Sequence, residues 1–316
     1  MRALVTGGAG HIGSTLVDAL LDRGDEVTVF DDFSSGREEN IAAALERGAE
    51  LIRGSVAVEA EMAAAGEASP ADVVFHMAAH AHIAYSLENP THDLRINVEG
   101  TVNALEVARK AGARFVFAAS CAEYGDPAAG GVSLPLTEDA PLRPISPYGQ
   151  SKLAAEGYVT LYRILHGVPS TSLRFGNVYG PRQTPLGEAG VVSIFCQRLL
   201  EGGQPTVFGT GGQTRDYTYV DDVVEGLLAT VDREATGEFN LGTGHETTVL
   251  ELVEILGHLG RRDDFTPQPA EGHAGDIPRM SLDSSRAREA LGWEAGTSLE
   301  AGLEDTLAGW RTRSGS

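Results

Sequence analysis

Near its start the chain reads Arg2-Ala3-Leu4-Val5-Thr6-Gly7-Gly8-Ala9-Gly10-His11-Ile12-Gly13, and this stretch decides the fold. Ala3-Leu4-Val5 is a short apolar run of strand type, and Gly13 to Arg23 has the apolar spacing of a helix. Glycines between such a strand and such a helix make the loop that cradles a dinucleotide pyrophosphate. Gly7 permits the tight turn, Gly10 lets backbone approach the phosphates, and Gly13 lets helix and strand pack closely. The helix N-terminus adds unpaired N–H donors and the positive end of a dipole. His11 and Ile12 stand in the same contact surface.

Outward from the loop, Glu26-Val27-Thr28-Val29-Phe30 reads as the next strand, closed by Asp31. A carboxylate roughly 20 residues after the loop is placed to bond the adenosine ribose and to repel a 2′-phosphate, which favours NAD over NADP. Arg37 keeps the NADP alternative open, and Asp32 reads as a loop or capping residue. Further strands are expected at 73–76, 114–118, 171–175 and 238–241, with helices near 38–47, 96–111 and 249–259. Alternating units of this size imply an α/β fold of the Rossmann type, a doubly wound parallel sheet, with a smaller C-terminal α/β lobe. The expected division is a cofactor domain at 1–175, rejoined by 218–245, and a lobe made of 176–217 and 246–316.

Composition narrows the partners. The 316 residues carry a formal net charge of -21, which opposes nucleic acid or an anionic membrane as the main partner. Cys121 and Cys196 are the two cysteines, too few for a disulfide framework, so a reducing, cytoplasmic setting is expected. There is no CxxC pair or metal-ligand spacing, and no apolar run approaches the 18 or so residues of a membrane span.

Of 24 basic residues only Lys110 and Lys152 are lysines, and Lys152 follows Tyr148 by four positions. On a helix that spacing puts both side chains on one face. An ammonium beside a phenol favours the phenolate, so Tyr148 is a candidate general base. Ordinary surface packing produces the same spacing, and the surrounding motifs decide between the two.

Those motifs are His76-Met77-Ala78-Ala79, Asn97-Val98-Glu99-Gly100-Thr101, Ser120-Cys121-Ala122-Glu123-Tyr124-Gly125, the Arg174 to Gln183 run, Gln213-Thr214-Arg215-Asp216-Tyr217 and Gly275-Asp276. In this order they resemble the extended short-chain dehydrogenase/reductases of the nucleotide-sugar epimerase/dehydratase family, most closely its UDP-glucose (galactose) 4-epimerase branch. The resemblance implies Ser120, Tyr148 and Lys152 as the catalytic set. Ser120 bonds the sugar 4-hydroxyl, Tyr148 is the base, and Lys152 tunes it and holds the nicotinamide ribose. It implies further cofactor contacts at Asp32, Ser34, Ser35, Gly36, Ser55, Val56, Met77, Ala78, Ala79, Asn97 and Phe175. Asn97 is either a support for the active-site helix or a helix-start residue. Substrate contacts are implied at Cys121, Ala122, Asn177, Val191, Val192, Thr206, Phe208, Arg215, Tyr217, His273, Asp276 and Met280, with Arg215 on the diphosphate. A surface pair with Asp216 or Asp221 is the alternative reading of Arg215.

The chain departs from the family pattern at informative places. His273 replaces a diphosphate arginine, and Ser55 replaces an aspartate that contacts adenine. The 4,6-dehydratases carry Thr-Asp-Glu where this chain has Ser120-Cys121-Ala122, and Glu123 comes one place too late to act as their base. Cys121 reads as a buried small residue. Met280 is intermediate between the tyrosine that excludes N-acetylated sugars and the small residue that admits them. Thr184 stands where glucuronate-specific members carry an arginine. The implied activity is an NAD-dependent interconversion of UDP-glucose and UDP-galactose through a transient 4-keto sugar. Alternatives are 4-epimerisation of UDP-N-acetylglucosamine or UDP-glucuronate, dehydration, and a silent NAD-binding scaffold. Family members often pair through two helices, expected here near 96–111 and 148–166, so a homodimer is implied.

Overall fold

The computed structural model describes residues 1–184, 190–272 and 277–314. Six strands, β1 (Arg2–Thr6), β2 (Glu26–Asp31), β3 (Glu50–Arg53), β4 (Val73–His76), β5 (Arg114–Ser120) and β6 (Ser170–Phe175), join an edge strand, Gly237–Leu241. Together they form one parallel sheet in the order edge strand, β6, β5, β4, β1, β2, β3. β4 is buried throughout and β5 nearly so, as strands covered by helices on both faces must be. Strand order reverses between β1 and β4, and the crevice beyond their carboxyl ends is where open α/β sheets bind ligands.

Several elements were not anticipated, among them β3 and the helices Glu59–Ala68, Val220–Asp232, Ser285–Leu291 and Leu299–Ser314. β3, Glu50-Leu51-Ile52-Arg53, is a half-exposed edge strand with only two apolar residues, too short to show a period. The helix Glu59–Ala68 buries only Met62 and Ala65, so its alanine-rich sequence carries little amphipathic signal. The helix expected near 38–47 is a short turn, Glu38–Asn40, followed by Ala42–Glu46. That expected at 96–111 is regular only over Gly100–Ala111, after a wider π-type turn at Arg95–Glu99.

Helix α1 (His11–Asp22) and the helix Val220–Asp232 cover one face of the sheet through Leu16, Val17, Leu20, Val223 and Leu227. Gly100–Ala111 and Pro147–His166 cover the other, through Leu105, Ala108, Ala155 and Val159 against Phe115 and Phe117. A third core gathers Tyr179, Phe195, Leu199, Leu252, Leu256, Leu303 and Leu307. It lies apart from the two sheet cores, although parts of the expected lobe do not join it. Ala287, Leu291 and Trp293 pack in the sheet's first core, and Trp293 Nε1 donates to Asp222 O at 2.7 Å. The residues around 285–295 therefore return to the sheet, because that apolar face is completed by the Val220–Asp232 helix.

Candidate active site

One cleft of about 900 Å³ runs along the carboxyl ends of the strands, between the sheet and the second lobe. Its cofactor half begins at the glycine loop. Gly7 has φ +67°, and a Cβ there would lie 2.5 Å from Ala78 N, so the loop abuts the segment after β4. A Cβ on Gly13 would lie 2.1 Å from Gly7 O, which is why the first turn of α1 can close on the loop. Gly10, His11, Ile12, Met77, Ala78 and Ala79 complete this wall.

Asp31, 7 % exposed, fastens the loop to β2. Its Oδ2 accepts from Ala9 N and its Oδ1 from Phe33 N, each at 2.8 Å. Burial raises its pKa above the ordinary carboxylate value, against the pull of those two bonds. Each oxygen can accept a further bond, and Asp31 lines the cleft, where a ribose hydroxyl fits and a second anion does not. The Arg37 guanidinium, the residue that kept NADP open, is paired with Glu39 at 2.7 Å. Asp32 caps its own turn by accepting from Ser34 N and Oγ, at 2.9 and 2.6 Å. These groups fit NAD: a glycine-lined phosphate cradle at a helix N-terminus, a ribose carboxylate, and Ser34, Ser35, Gly36, Val56 and Phe175 along the wall.

The candidate catalytic residues come from two elements wedged together. β5 ends at Ser120, whose Oγ accepts from Ala122 N at 3.2 Å to cap the short turn Cys121–Glu123. The helix Pro147–His166 starts at Ser146, whose Oγ accepts from Gly149 N at 3.1 Å, with Pro147 at its first position. A Cβ at Gly149 would lie 2.5 Å from Ala122 O, so glycine there lets the helix close on the Ser120 turn. Tyr148, beside it, and Lys152, one turn on, both face the cleft with Ser120. Lys152 is 3 % exposed, donates to Ala118 O at 2.8 Å and lies 4.9 Å over the Phe117 ring. A buried cation so held supplies a fixed positive potential at the site.

Behind the cleft a chain of hydrogen bonds ties these parts together. Ser151 Oγ donates to Tyr148 O, and Asn97 Nδ2 donates to Ser151 Oγ at 3.0 Å and to His80 O at 2.9 Å. Asn97 is thereby bonded to the helix that carries Tyr148, and it does not line the cleft. Thr101 Oγ1 donates to Asn97 O, so it accepts from His76 Nε2, and His76 Nδ1 accepts from Thr6 Oγ1 at 2.7 Å. Burial, reinforced by the charge of Lys152, pushes the His76 pKa down to about 3, and the ring stays neutral.

The substrate half draws on distant segments. Asn177, Val191, Thr206, Phe208, Arg215, Tyr217 and Met280 line it together with Cys121 and Ala122. Arg215 Nη1 donates to Thr214 O and Ile277 O, at 2.8 and 2.6 Å, which ties its strand to the segment carrying Met280. Asp216, its other suggested partner, is occupied with Thr243, Gly244 and the Leu282 amide. Burial holds the Cys121 thiol up at about 12, so it packs as a small neutral group rather than a nucleophile.

Two expected contacts do not line the cleft, and two lie outside the described residues. Val192 is 2 % exposed inside the third core, one residue round the helix from the lining Val191. Ser55 does not line the cleft. Its amide donates to Glu61 at 2.8 Å and its side chain bonds Asp32. His273 and Asp276 lie outside the described residues. Motif reading passed over Arg182 and Gln183 as wall residues. Arg182 has φ +69° and reaches back to Asp18 of α1 at 2.6 Å, a tertiary contact that local spacing does not announce. Among the described residues no group of three or more His, Cys, Asp or Glu is placed to hold a metal ion.

Comparison with known proteins identifies the family. Residues 3–242 match the model of the NAD dependent epimerase/dehydratase family. The chain is 42 % identical over 319 residues to a UDP-glucose 4-epimerase of Mycolicibacterium smegmatis, covering 99 % of this chain and 100 % of that one. Among solved structures it is similar to a Thermotoga maritima UDP-glucose 4-epimerase with UDP-glucose, at TM-score 0.93 and 40 % identity over 99 % of both chains. It is also similar to a Thermus thermophilus UDP-glucose 4-epimerase in complex with NAD, at TM-score 0.91 and 37 % identity over 98 % of this chain and 99 % of that one. The chain belongs to the NAD dependent epimerase/dehydratase family.

Proposed function

We propose that the protein is an NAD-dependent nucleotide-sugar 4-epimerase that interconverts UDP-glucose and UDP-galactose. The observation that carries this reading is the meeting of Ser120, Tyr148 and Lys152 on one cleft, between a dinucleotide cradle and the Arg215 wall. NAD, when bound, supplies a reversible two-electron acceptor at the sugar C4. The chain supplies the rest. Tyr148 takes the proton of the 4-hydroxyl, the Lys152 ammonium stabilises the resulting negative charge, and Ser120 Oγ orients the same oxygen. Return of that proton to the opposite C4 epimer uses the same three groups, so the site need only let the sugar turn. Arg215 holds the diphosphate while it does so, a role suited to its planar fork of donors.

The cleft also argues against dehydration. Glu123 does not line it and is engaged with the Ser120 amide, so the acid that eliminates water in dehydratases has no counterpart at 120–123. Thr184 and Met280 on the wall favour a neutral hexose over a uronic acid while leaving room for a 2-acetamido group. We read 176–217 and most of 246–316 as the nucleotide-sugar lobe and the protein as cytoplasmic, with Cys121 and Cys196 free thiols. No helix among the described residues is long and apolar enough to cross a membrane. We further read it as a homodimer, because Tyr158, Leu161, Ile164 and Leu165 leave an apolar stripe exposed on the active-site helix. Mass-resolved assay of the purified protein with UDP-glucose, UDP-galactose and their N-acetyl and uronic counterparts tests the activity. Conversion of none of them overturns it.

A further inference from the structure

Glu123 is 0 % exposed, yet no step above employs it. Its Oε1 accepts the Ser120 amide at 3.0 Å while Ser120 Oγ accepts from Ala122 N, a reciprocal cap that closes the turn on which Ser120 sits. We propose that Glu123 is the positioning residue for Ser120: its carboxyl holds the Ser120 amide and thereby sets where the Ser120 hydroxyl meets the substrate oxygen. The inference rests on the reading of Ser120 as the group that orients the sugar 4-hydroxyl.

The groups packed around Glu123 decide its charge. Arg174 of β6 is its cationic neighbour, but that guanidinium is already held by Glu156 of the active-site helix, through Nε at 3.0 Å and Nη2 at 2.5 Å. Its remaining Nη1 goes to Tyr124 Oη and Glu138 O, at 3.0 and 3.2 Å. Glu123 Oε2 stands 3.6 Å from Arg174 Nε, beyond hydrogen-bond length, and has no hydrogen-bond partner among the described residues. Burial, with the nearby Glu156 carboxylate, raises the Glu123 pKa well above the carboxylate range, and the weaker pulls of Arg174 and Lys152 do not reverse this. Burial and the Glu156 carboxylate both favour its neutral form. That matters beside a site that builds negative charge, because an ionised Glu123 would oppose the oxyanion and compete for the field of Lys152.

A buried carboxyl that acts through an acceptor oxygen is mimicked by an amide. Glu123→Gln should keep the Ser120 amide protected from hydrogen exchange, hold kcat within about twofold and leave the pH profile unmoved. Glu123→Met fills the volume without the acceptor. It should expose that amide to exchange and lower kcat by about tenfold to a hundredfold, with KM and bound NAD unchanged. Should the Met variant fail to fold, Glu123→Asp, whose carboxyl is one methylene short of the Ser120 amide, should show the same exchange and the same loss. In a Ser120→Ala background the Met substitution should cost little more, since both act through one hydroxyl. A Gln variant as slow as the Met variant, or a Met variant with normal kcat, overturns the proposal. So does a Ser120 amide that stays protected without the acceptor. The exchange readout does not depend on turnover, so it judges Glu123 even if no UDP-sugar is converted and the functional reading fails.

Discussion

The two halves of the cleft are built on different principles. The cofactor half is mostly local: Gly7 to Gly13, Asp31 to Gly36 and Met77 to Ala79 are short runs at the ends of adjacent strands. The substrate half is assembled from Ser120–Ala122, Asn177, Thr206–Phe208, Arg215–Tyr217 and Met280, segments held together by bonds such as Arg215 to Ile277 O. Steric necessity governs the first half, where a methyl group at Gly13 has nowhere to go. Chemistry and convergence govern the second, where a residue counts only once the chain has brought it to the others.

Four measurements press on that contrast. The largest effect belongs to the proposed catalytic residues. Tyr148→Phe should fold, retain NAD and lose turnover by about a thousandfold or more, because the hydroxyl that exchanges the proton is gone; single-turnover analysis of bound sugar checks it. Next comes the cradle. Gly13→Ala drives a Cβ to 2.1 Å from Gly7 O, so about 3 kcal/mol of stability should be lost, and bound NAD with it. Denaturant midpoints and the absorbance of released cofactor report both, and a Gly13→Ala variant with full NAD would break the steric account of the cofactor half.

Arg215→Ala should raise KM for a UDP-sugar about tenfold to a hundredfold while leaving bound NAD untouched, since one charge-assisted contact is removed from the substrate half alone. Steady-state kinetics beside a cofactor assay separates the halves. Loss of NAD in that variant would show that they are not independent. The smallest effect concerns His76, on the seam between them. Unfolded His76 takes up a proton near 6.5, whereas the folded ring stays neutral to about 3. The unfolded state therefore binds more protons below 6.5, and the stability the neutral ring contributes is complete above 6.5 and drains away as pH falls toward 3. The loss is at most about 1.4 kcal/mol per pH unit. The stability advantage of the native protein over His76→Gln should shrink between about pH 7 and 5; an advantage independent of pH would mean the ring is not held neutral.

Legibility followed the same division. The strand–glycine–helix pattern, Asp31 and the Tyr148–Lys152 spacing are local signals, and the structure puts all of them in the cleft. β3 and the Glu59–Ala68 helix escaped notice because neither shows a strong period, having one exposed face and few apolar residues. Ser55 and Val192 were placed by alignment to a pattern, yet a side chain one position along a turn or helix points into different surroundings, which removed both from the lining. Arg182 was missed for the opposite reason: it acts through a left-handed backbone and an aspartate 164 positions away.

What the sequence alone determined is the doubly wound sheet and the dinucleotide cradle, because periodicity and glycine spacing are properties of neighbours along the chain; the order of its motifs, through a family resemblance, also nominated Ser120, Tyr148 and Lys152 as the candidate catalytic groups. Only the tertiary structure decided what surrounds them. It turned Glu123 away from the cleft onto the Ser120 amide, saturated Arg174 with Glu156, neutralised His76 between two threonines and returned Trp293 to the first core. Charge state and contact depend on burial and on partners distant in sequence, and those come into being only when the chain closes on itself.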